Sequence, residues 1–300
     1  MAKKLKVESI EKSDLVEFLN DVSDFSFETK VLKALIGMGF GCEHSGSYAD
    51  PITNEVREFD IRATKIFRDR FFLRLAVECK NLRPNFPILI SCLPRRQEES
   101  FHETSLSVNP DKCPIEKPSP YSVRAMISTS KNVRLTGEYS LYKPGDPVGK
   151  SCDQVGRLLS GEFTSGDSGI YNKWAQALSS AHDLTYLSCT DGEDRTGDFA
   201  VSLVIPTLVV PNRQLWVAQY DSDGNRTADP ELVDRCSYFI DQSYFHKGLS
   251  HHALTISHLE FLTVDGLRAF IDGLCGDDEK IDASFPATHI LQSIVSSERA

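Results

Sequence analysis

The sequence lacks any apolar run long enough to cross a membrane. Its longest apolar stretch, residues 199–211, contains Pro206 and falls short of the roughly 20 apolar residues that a spanning helix needs. The first residues carry several lysines and no apolar segment of the kind found in signal peptides. We therefore expect a cytoplasmic protein that does not bind a membrane.

Paired cysteine motifs are also missing. The eight cysteines are scattered along the chain and none belongs to a C-x-x-C pair, so neither a zinc site nor a disulfide framework is expected. Reduced thiols agree with a cytoplasmic location. The cysteines stand at positions 42, 79, 92, 113, 152, 189, 236 and 275.

The sequence has no overall excess of positive charge, because its net charge is −10. This value argues against a general nucleic-acid coat protein. The charge is uneven, however: residues 57–96 hold ten basic and four acidic residues, a local net charge of +6 that leaves −16 for the remaining chain. Such a segment suits a phosphate backbone, although exposed basic residues on strand edges would give the same count.

Two predicted strands inside this positive segment carry acids. Asp60 stands between apolar neighbours, as on a strand with alternating faces. Glu78 and Lys80 follow the apolar run 71–77, and a period of two puts both on one face of that strand, with Cys79 on the other. If the two strands are adjacent, Asp60, Glu78 and Lys80 meet.

This set of side chains suits the hydrolysis of phosphodiesters. Two carboxylates can bind a hard divalent cation such as Mg²⁺, which keeps several waters and accepts phosphate oxygens. A lysine beside them can orient the attacking water, while the cation stabilises the charge that develops at phosphorus. The plain alternative is a surface strand pair with a salt bridge between Glu78 and Lys80.

The spacing of these residues resembles the PD-(D/E)xK nuclease superfamily. Its restriction-endonuclease-like core has a helix, three strands carrying D…(D/E)-x-K, a second helix and a further strand. The match is Asp60 followed by Glu78-Cys79-Lys80, and Phe59 stands where the superfamily pattern has proline. The resemblance implies a nuclease dependent on Mg²⁺ or Mn²⁺. Its catalytic residues would be Asp60, Glu78 and Lys80, and its metal ligands Asp60, Glu78 and the carbonyl of Cys79.

The resemblance also points to a glutamate in the first core helix. A glutamate there often faces the metal in the superfamily, and Glu28 is its counterpart in this sequence. An acid in the first turn of a helix also simply complements the helix dipole. Glu28 is therefore a candidate metal ligand with an ordinary alternative.

The order of elements predicts an α/β fold with a mixed sheet, in which a restriction-endonuclease-like core carries a large insertion and a C-terminal elaboration. The core would comprise 26–93 and 166–275, preceded by a helical extension over 1–25. Residues 94–165 would form an insertion or lid, and 276–300 a polar tail that frays. We predict helices at 8–24, 27–38, 170–187 and 264–274, and strands at 40–48, 56–66, 71–80, 88–93, 199–210, 215–220 and 254–261, with 199–220 folding as a hairpin.

The proposed substrate is nucleic acid, with DNA preferred. The candidate residues for binding the phosphate backbone of nucleic acid are Arg62, Lys65 and Arg83, which flank the acids within the positive segment. A non-catalytic binding module on the same fold is the main alternative function. The sequence leaves the oligomeric state open, a homodimer included.

A second motif indicates different chemistry. Residues 189–197 read C-T-D-G-E-D-R-T-G and resemble the C-x5-R-[ST] phosphate loop of cysteine phosphatases, with Cys189 as nucleophile and Arg195 as phosphate clamp. The acids inside the loop would repel phosphate and raise the pKa of the thiol. The sequence after it favours a strand where a phosphatase has a helix, so this function is the weaker alternative.

Overall fold

The fold is seen in a computed structural model that describes residues 8–50, 53–108, 130–166, 168–188, 199–245 and 253–297. These residues form an α/β fold in which one large mixed sheet is covered by helices. The predicted α/β class is therefore confirmed.

The elements have the following bounds. The helices are α1 (Lys12–Asp21), α2 (Phe25–Gly37), α3 (Ser168–Ser188), α4 (Val264–Cys275), α5 (Asp278–Ser284) and α6 (Ala287–Ser297). The strands are β1 (Gly41–Ala49), β2 (Val56–Phe67), β3 (Phe71–Cys79), β4 (Ile88–Pro94), β5 (Phe101–Val108), β6 (Ser130–Thr136), β7 (Pro147–Arg157), β8 (Phe163–Gly166), β9 (Phe199–Val210), β10 (Leu215–Gln219), β11 (Glu231–Leu232), β12 (Arg235–Phe245) and β13 (Ala253–Thr263). Within the described ranges, short 3-10 helices cover Gln97–Glu99 and Gly137–Tyr139.

The main path of the sheet runs β1-β2-β3-β9-β13-β12-β7-β4-β10-β11. β1, β2 and β3 form an antiparallel meander, while β9 lies parallel to both β3 and β13. Off this path, β5 pairs with β6 and with the start of β9, and β8 pairs with β7. The sheet is thus antiparallel at the β1 edge and parallel at its centre.

The centre of the sheet is buried on both faces. Every residue of β3 is buried, as is nearly all of β9, because α2 and α4 cover one face and α3 covers the other. Leu73 and Leu75 pack toward α2 and α4, whereas Ala76 packs toward α3. A parallel pair covered on both sides reads as a continuous apolar run, which is why the sequence predicted these strands well.

Most of the predicted elements are confirmed to within a few residues at each end. The exception in pairing is the hairpin predicted over 199–220, which is wrong. β9 pairs with β3, β5 and β13, and β10 instead lies parallel to β4. The reason is that β9 is apolar on both faces and is buried at the centre of the sheet, so both of its edges are taken by other strands.

The region predicted as an insertion or lid contributes strands to the sheet. β7 lies between β4 and β12 and pairs with both, and β5 pairs with β9. The sequence of β7, PVGKSCDQVGR, is too polar and glycine-rich to show a strand pattern. The neighbouring strand β12 was not predicted for a similar reason. It mixes polar and apolar residues and contains a bulge.

The chain ends differ from the expectations in opposite ways. The predicted N-terminal helix is present as α1, but its apolar side chains are exposed. The C-terminal segment, expected to be a fraying tail, forms α5 and α6 and buries Phe285 and Ile290 in the core. The ring of Phe285 stacks on Phe71 at 5.2 Å between centroids. The polar composition of this segment concealed a few apolar anchors.

None of the helices within the described ranges has the length and apolar character that a membrane crossing requires.

The first prediction concerns the C-terminal anchor. Phe285→Ala removes a side chain that is 1% exposed, so we expect the free energy of unfolding to fall by about 3–5 kcal/mol. Urea denaturation followed by circular dichroism measures this. The control is Phe163→Ala, whose ring is 72% exposed and whose removal should cost under about 1 kcal/mol. Equal losses in the two variants would show that the C-terminal helices do not pack as described.

Candidate active site

The site is built on the pairing of β2 with β3. Their antiparallel register places Ile61 opposite Val77, and the next residues along, Asp60 and Glu78, are joined by a hydrogen bond. The backbone N–H of Asp60 donates to Oε1 of Glu78 at 3.3 Å. The two acids therefore lie side by side on the face of the sheet that α3 covers.

A lysine from α3 stands between the two acids. The Nζ of Lys173 donates to Oδ2 of Asp60 at 2.6 Å and to Oε2 of Glu78 at 3.1 Å. The side chains of Lys173, Asp60 and Glu78 are 17%, 14% and 2% exposed. Two largely buried carboxylates thus converge on one cationic group.

Cys79 contributes its backbone to this arrangement. Its N–H donates to Oδ2 of Asp60 at 2.8 Å, which holds the carboxylate against the end of β3. Its thiol is buried in the core on the α2 side, and burial raises the pKa of the Cys79 thiol well above the ordinary value. The thiol is therefore a packing group and the peptide of Cys79 is the part that meets the site.

Lys80 points to a different acid. Its Nζ donates to Oδ2 of Asp24 at 2.9 Å, and the N–H of Asn81 donates to Oδ1 of the same carboxylate at 2.7 Å. Asp24 is the residue that precedes the first turn of α2. The chain after β3 is therefore tied to the start of α2, and the ammonium of Lys80 pairs with Asp24 instead of forming the predicted alternative salt bridge with Glu78.

Glu28, in the first turn of α2, is the third acid near the site. Burial raises the pKa of the Glu28 carboxyl, and the negative charges of Asp60 and Asp24 raise it further, while Lys173 and His44 act in the opposite direction. Its Oε2 lies 3.6 Å from Nε2 of His44. Glu28 is thus close enough to Asp60 for their charges to interact.

The electrostatics of the pair are set by burial. Removal of Glu78 from water and the neighbouring charge of Asp60 both raise the pKa of its carboxyl, Lys173 partly offsets them, and the net pKa is about 8. For Lys173, burial lowers the pKa of the ammonium, but the attraction of Glu78 and Asp60 outweighs it and the net pKa is raised. Glu78 therefore keeps its proton to a higher pH than an exposed glutamate does, and Lys173 keeps its charge.

The predicted nucleic-acid-binding residues have different environments. Arg62 is buried, donates to Asp183 at 2.8 Å and Ser180 at 3.0 Å, and stacks on two aromatic rings. Lys65 donates to the carbonyl of Met38 at 2.9 Å. Arg83 is exposed. Arg62 and Lys65 therefore stabilise the fold, and only Arg83 of the three stands at the surface.

Lys173 is the site residue that the sequence reading missed. A signal for it existed, because Lys173 falls within the apolar stripe of α3, three residues after Ile170 and four before Ala177, both of which are buried. A charge inside such a stripe needs a partner of opposite sign. The unpaired acids of β2 and β3 were the available candidates.

The donor set fits a hard divalent cation. Within the described ranges, no group of three or more histidine, cysteine, aspartate or glutamate side chains has metal-binding geometry. Mg²⁺ does not require one, since it is commonly held by one or two carboxylates together with waters and substrate phosphates. The carboxylates of Asp60 and Glu78 are hard oxygen donors, and they already share one cation, the ammonium of Lys173.

The alternative phosphatase residues cannot be placed. Residues 189–198, which include Cys189 and Arg195, lie outside the described residues.

A scan against protein-family models finds no match to this chain, and searches of the curated proteins and of the solved structures find none either.

The second prediction follows from the raised pKa of Glu78. Its carboxyl has a pKa of about 8 in the folded protein against an ordinary 4.5, so its stabilising contribution is complete below about pH 4.5 and is lost as the pH rises through about 8. The variant Glu78→Gln lacks this dependence. Between about pH 5 and pH 8.5, the free energy of unfolding of the wild type should therefore fall relative to that of the variant.

Urea denaturation at several pH values measures this difference. The exposed Glu138 supplies the matched control, and Glu138→Gln should differ from the wild type by a constant amount. A difference between wild type and Glu78→Gln that stays constant with pH would mean that Glu78 is ionised throughout the range.

Proposed function

We propose that the protein is a metal-dependent phosphodiesterase that cleaves nucleic acid, with DNA as the substrate, on a restriction-endonuclease-like core. The observation that carries the proposal is the convergence of the Asp60 and Glu78 carboxylates, from two paired strands, on the single ammonium of Lys173. Lys80 follows directly, which completes the D…E-x-K spacing.

The arrangement of the core elements supports the proposal. Helix α2, the meander β1-β2-β3, helix α3 and the strand β9 occur in the order that the resemblance implies, with β4–β8 inserted between β3 and α3. The two helices cover opposite faces of the sheet. Glu78, near the end of β3, and Asp60, beside it on β2, both project toward α3, where they meet Lys173.

Each residue has a role in this proposal. Asp60 and Glu78 would hold Mg²⁺ or Mn²⁺, with Glu28 and the peptide of Cys79 next to it. When bound, such a cation supplies stabilisation of the negative charge that develops on a phosphodiester during hydrolysis. Lys80 would orient the attacking water by donating a hydrogen bond from its ammonium, and Asp24 holds that ammonium at the site's border.

Lys173 has a distinct role as a competitor for the same carboxylate oxygens. In the absence of another cation, its ammonium offsets part of the negative charge of Asp60 and Glu78, which would otherwise be two largely buried like charges without a positive partner. If a divalent cation and a phosphate group were bound together, the cation would pair with the carboxylates and the phosphate would pair with the ammonium. The long side chain of Lys173 could then donate to the phosphate.

A second candidate function is a non-catalytic nucleic-acid-binding module on the same fold. The same lysine favours it, because an ammonium that pairs with both carboxylates can satisfy them permanently, without any metal. The pairing of Lys80 with Asp24 also agrees with a purely structural use of these charges. Binding of nucleic acid without turnover in either Mg²⁺ or Mn²⁺ would favour this candidate.

The proposal includes a cytoplasmic location. Six cysteines within the described ranges are free thiols, which agrees with a reducing compartment.

The third prediction tests the catalytic residues directly. Asp60→Asn and Lys80→Ala should each reduce Mg²⁺-dependent cleavage of plasmid and of single-stranded DNA by at least about 100-fold, because one removes a charged ligand and the other the group that orients the water. Gel electrophoresis of the products at increasing times gives the rates. The control is Asp229→Asn, whose side chain is 94% exposed and which should cleave like the wild type.

Cleavage that persists unchanged in both Asp60→Asn and Lys80→Ala would remove the basis of the proposed nuclease. The same conclusion would follow if a chelator left the activity intact. A hydrolysis of aryl phosphates that is lost in Cys189→Ser and is insensitive to chelator would point to the phosphatase instead.

The fourth prediction concerns the competition between Lys173 and a divalent cation. Lys173→Met removes the ammonium and should raise the affinity for Mn²⁺ by at least about tenfold, since two carboxylates are then left without a partner. Lys173→Arg keeps the positive charge and should bind Mn²⁺ about as weakly as the wild type. Isothermal titration calorimetry measures both, and it needs no catalytic activity.

Circular dichroism spectra first establish that the variants are folded. Should Lys173→Met fail to fold, Lys173→Gln replaces it. The glutamine also lacks the positive charge, and its amide can still donate to one carboxylate, which favours folding. Equal Mn²⁺ affinities in the wild type and in the uncharged variants would show that the carboxylates do not bind the cation.

A further inference from the structure

A second concave surface lies on the other flank of α3. It is a cleft of about 480 Å³, bounded by α3, by β12, by the start of β2 and by Asp50 and Thr53. Its polar lining residues are Arg57, Ser179, Gln242, Thr53 and Asp50. The carboxylate of Asp50 pairs with Arg57 at 2.5 Å and accepts a hydrogen bond from the hydroxyl of Ser179 at 2.6 Å. Most of its other lining residues are aromatic, namely Tyr171, Trp174, Tyr238, Phe239 and Tyr244, and the rest are the aliphatic residues Ala175, Leu178 and Ile240.

The inner wall of this aromatic cleft is rigid. The hydroxyl of Tyr238 donates to the carbonyl of Lys150 at 2.8 Å, and its ring lies so close to Gly149 that a Cβ on that residue would come within 2.7 Å of it. Trp174 meets Tyr238 edge to face at 4.9 Å. These two rings are therefore held in place before any ligand arrives.

The mouth of the cleft, unlike its inner wall, carries an exposed aromatic ring. Tyr171 is 57% exposed, and its ring centroid lies 5.4 Å from that of Trp174 at an interplanar angle of 56°. The two residues are one turn apart on α3, so their rings lie on the same side of the helix. An exposed aromatic ring beside a fixed one offers a surface on which a flat ring can stack.

The cleft is close to the acids of the proposed catalytic site. Arg57, which lines the cleft, precedes Asp60 by three residues on β2, which corresponds to roughly 10 Å along an extended strand. On α3, Trp174 directly follows Lys173. A chain that reaches the carboxylates of Asp60 and Glu78 can therefore place a neighbouring group in the cleft.

We propose that this aromatic cleft binds an unpaired nucleobase of the strand whose backbone lies at the acids, so that the substrate is single-stranded or locally unpaired nucleic acid. This inference rests on the proposed function and adds the substrate class to it. A base offers two π-faces for stacking on Tyr171 and Trp174, and the cleft volume is within the range of sites that hold molecules of nucleotide size. A base stacked inside a duplex would first have to leave the helix.

The chain offers a specific probe for this binding. It contains two tryptophans, Trp174 and Trp216, so in the variant Trp216→Phe the fluorescence reports on the cleft alone. A short single-stranded oligothymidine, added with a chelator to prevent cleavage, should quench Trp174 in a saturable way. The duplex of the same sequence should quench it at least about tenfold less effectively at equal concentration.

Variants of the exposed ring test the stacking. In the Trp216→Phe background, Tyr171→Ala should weaken the binding of the oligothymidine by roughly tenfold or more, and Tyr171→Phe should keep most of it. The matched control is Tyr186→Ala, which removes a partly exposed tyrosine of the same helix outside the cleft and should bind like its parent.

The outcomes separate this inference from the proposed function. Equal quenching by single strand and duplex, no saturable quenching, or unchanged binding in Tyr171→Ala would each overturn the cleft assignment even if the protein cleaves DNA. Preferential single-strand binding that is lost in Tyr171→Ala supports it. If Asp60→Asn retains that binding and no cleavage is found in the wild type, the cleft stands and the nuclease proposal fails.

Discussion

The structure depends on one ammonium between two largely buried carboxylates. Glu78 is almost fully removed from water and lies beside Asp60, an arrangement that like-charge repulsion and desolvation both oppose. Lys173 relieves it by donating to both acids, and in doing so it joins α3 to β2 and β3. Any ligand that uses these acids must supply a positive charge in place of that ammonium. The requirement that holds the elements together is therefore the same one on which the proposed binding of a metal cation depends.

Burial on both faces of the central strands determines what surrounds this pair. Because side chains alternate along β3, Cys79 lies in the core beneath α2 while Glu78 faces α3. Helix α3 then has two flanks with different surroundings. One flank holds Lys173, Ser180 and Asp183, which pair with charges of β2. The other carries Tyr171 and Trp174, which line the aromatic cleft. A single helix thus brings the charged site and the aromatic surface within a few residues of each other.

The positive segment between residues 57 and 96 shows why charge counts need a structure. Its surplus suggested a surface for phosphates, yet Arg62 is buried against Asp183 and Lys65 is bonded to the end of α2. A buried arginine with a partner adds to packing and contributes little field outside. Of the three residues predicted to bind nucleic acid, only Arg83 is exposed. A smaller exposed positive charge supports the proposal that a substrate is recognised partly by stacking in the aromatic cleft.

The sequence by itself determined the local parts of this protein. The apolar runs and their period of two predicted β2, β3 and β9 and placed Asp60 near Glu78, because alternation and burial are properties of neighbouring residues. The tertiary structure decided the rest. It brought Lys173 to acids that are 113 and 95 positions away in the chain, paired Lys80 with Asp24, and inserted the polar strand β7 between β4 and β12. Such contacts join segments that are distant in sequence, and no local pattern encodes which distant charge or strand edge will be the partner.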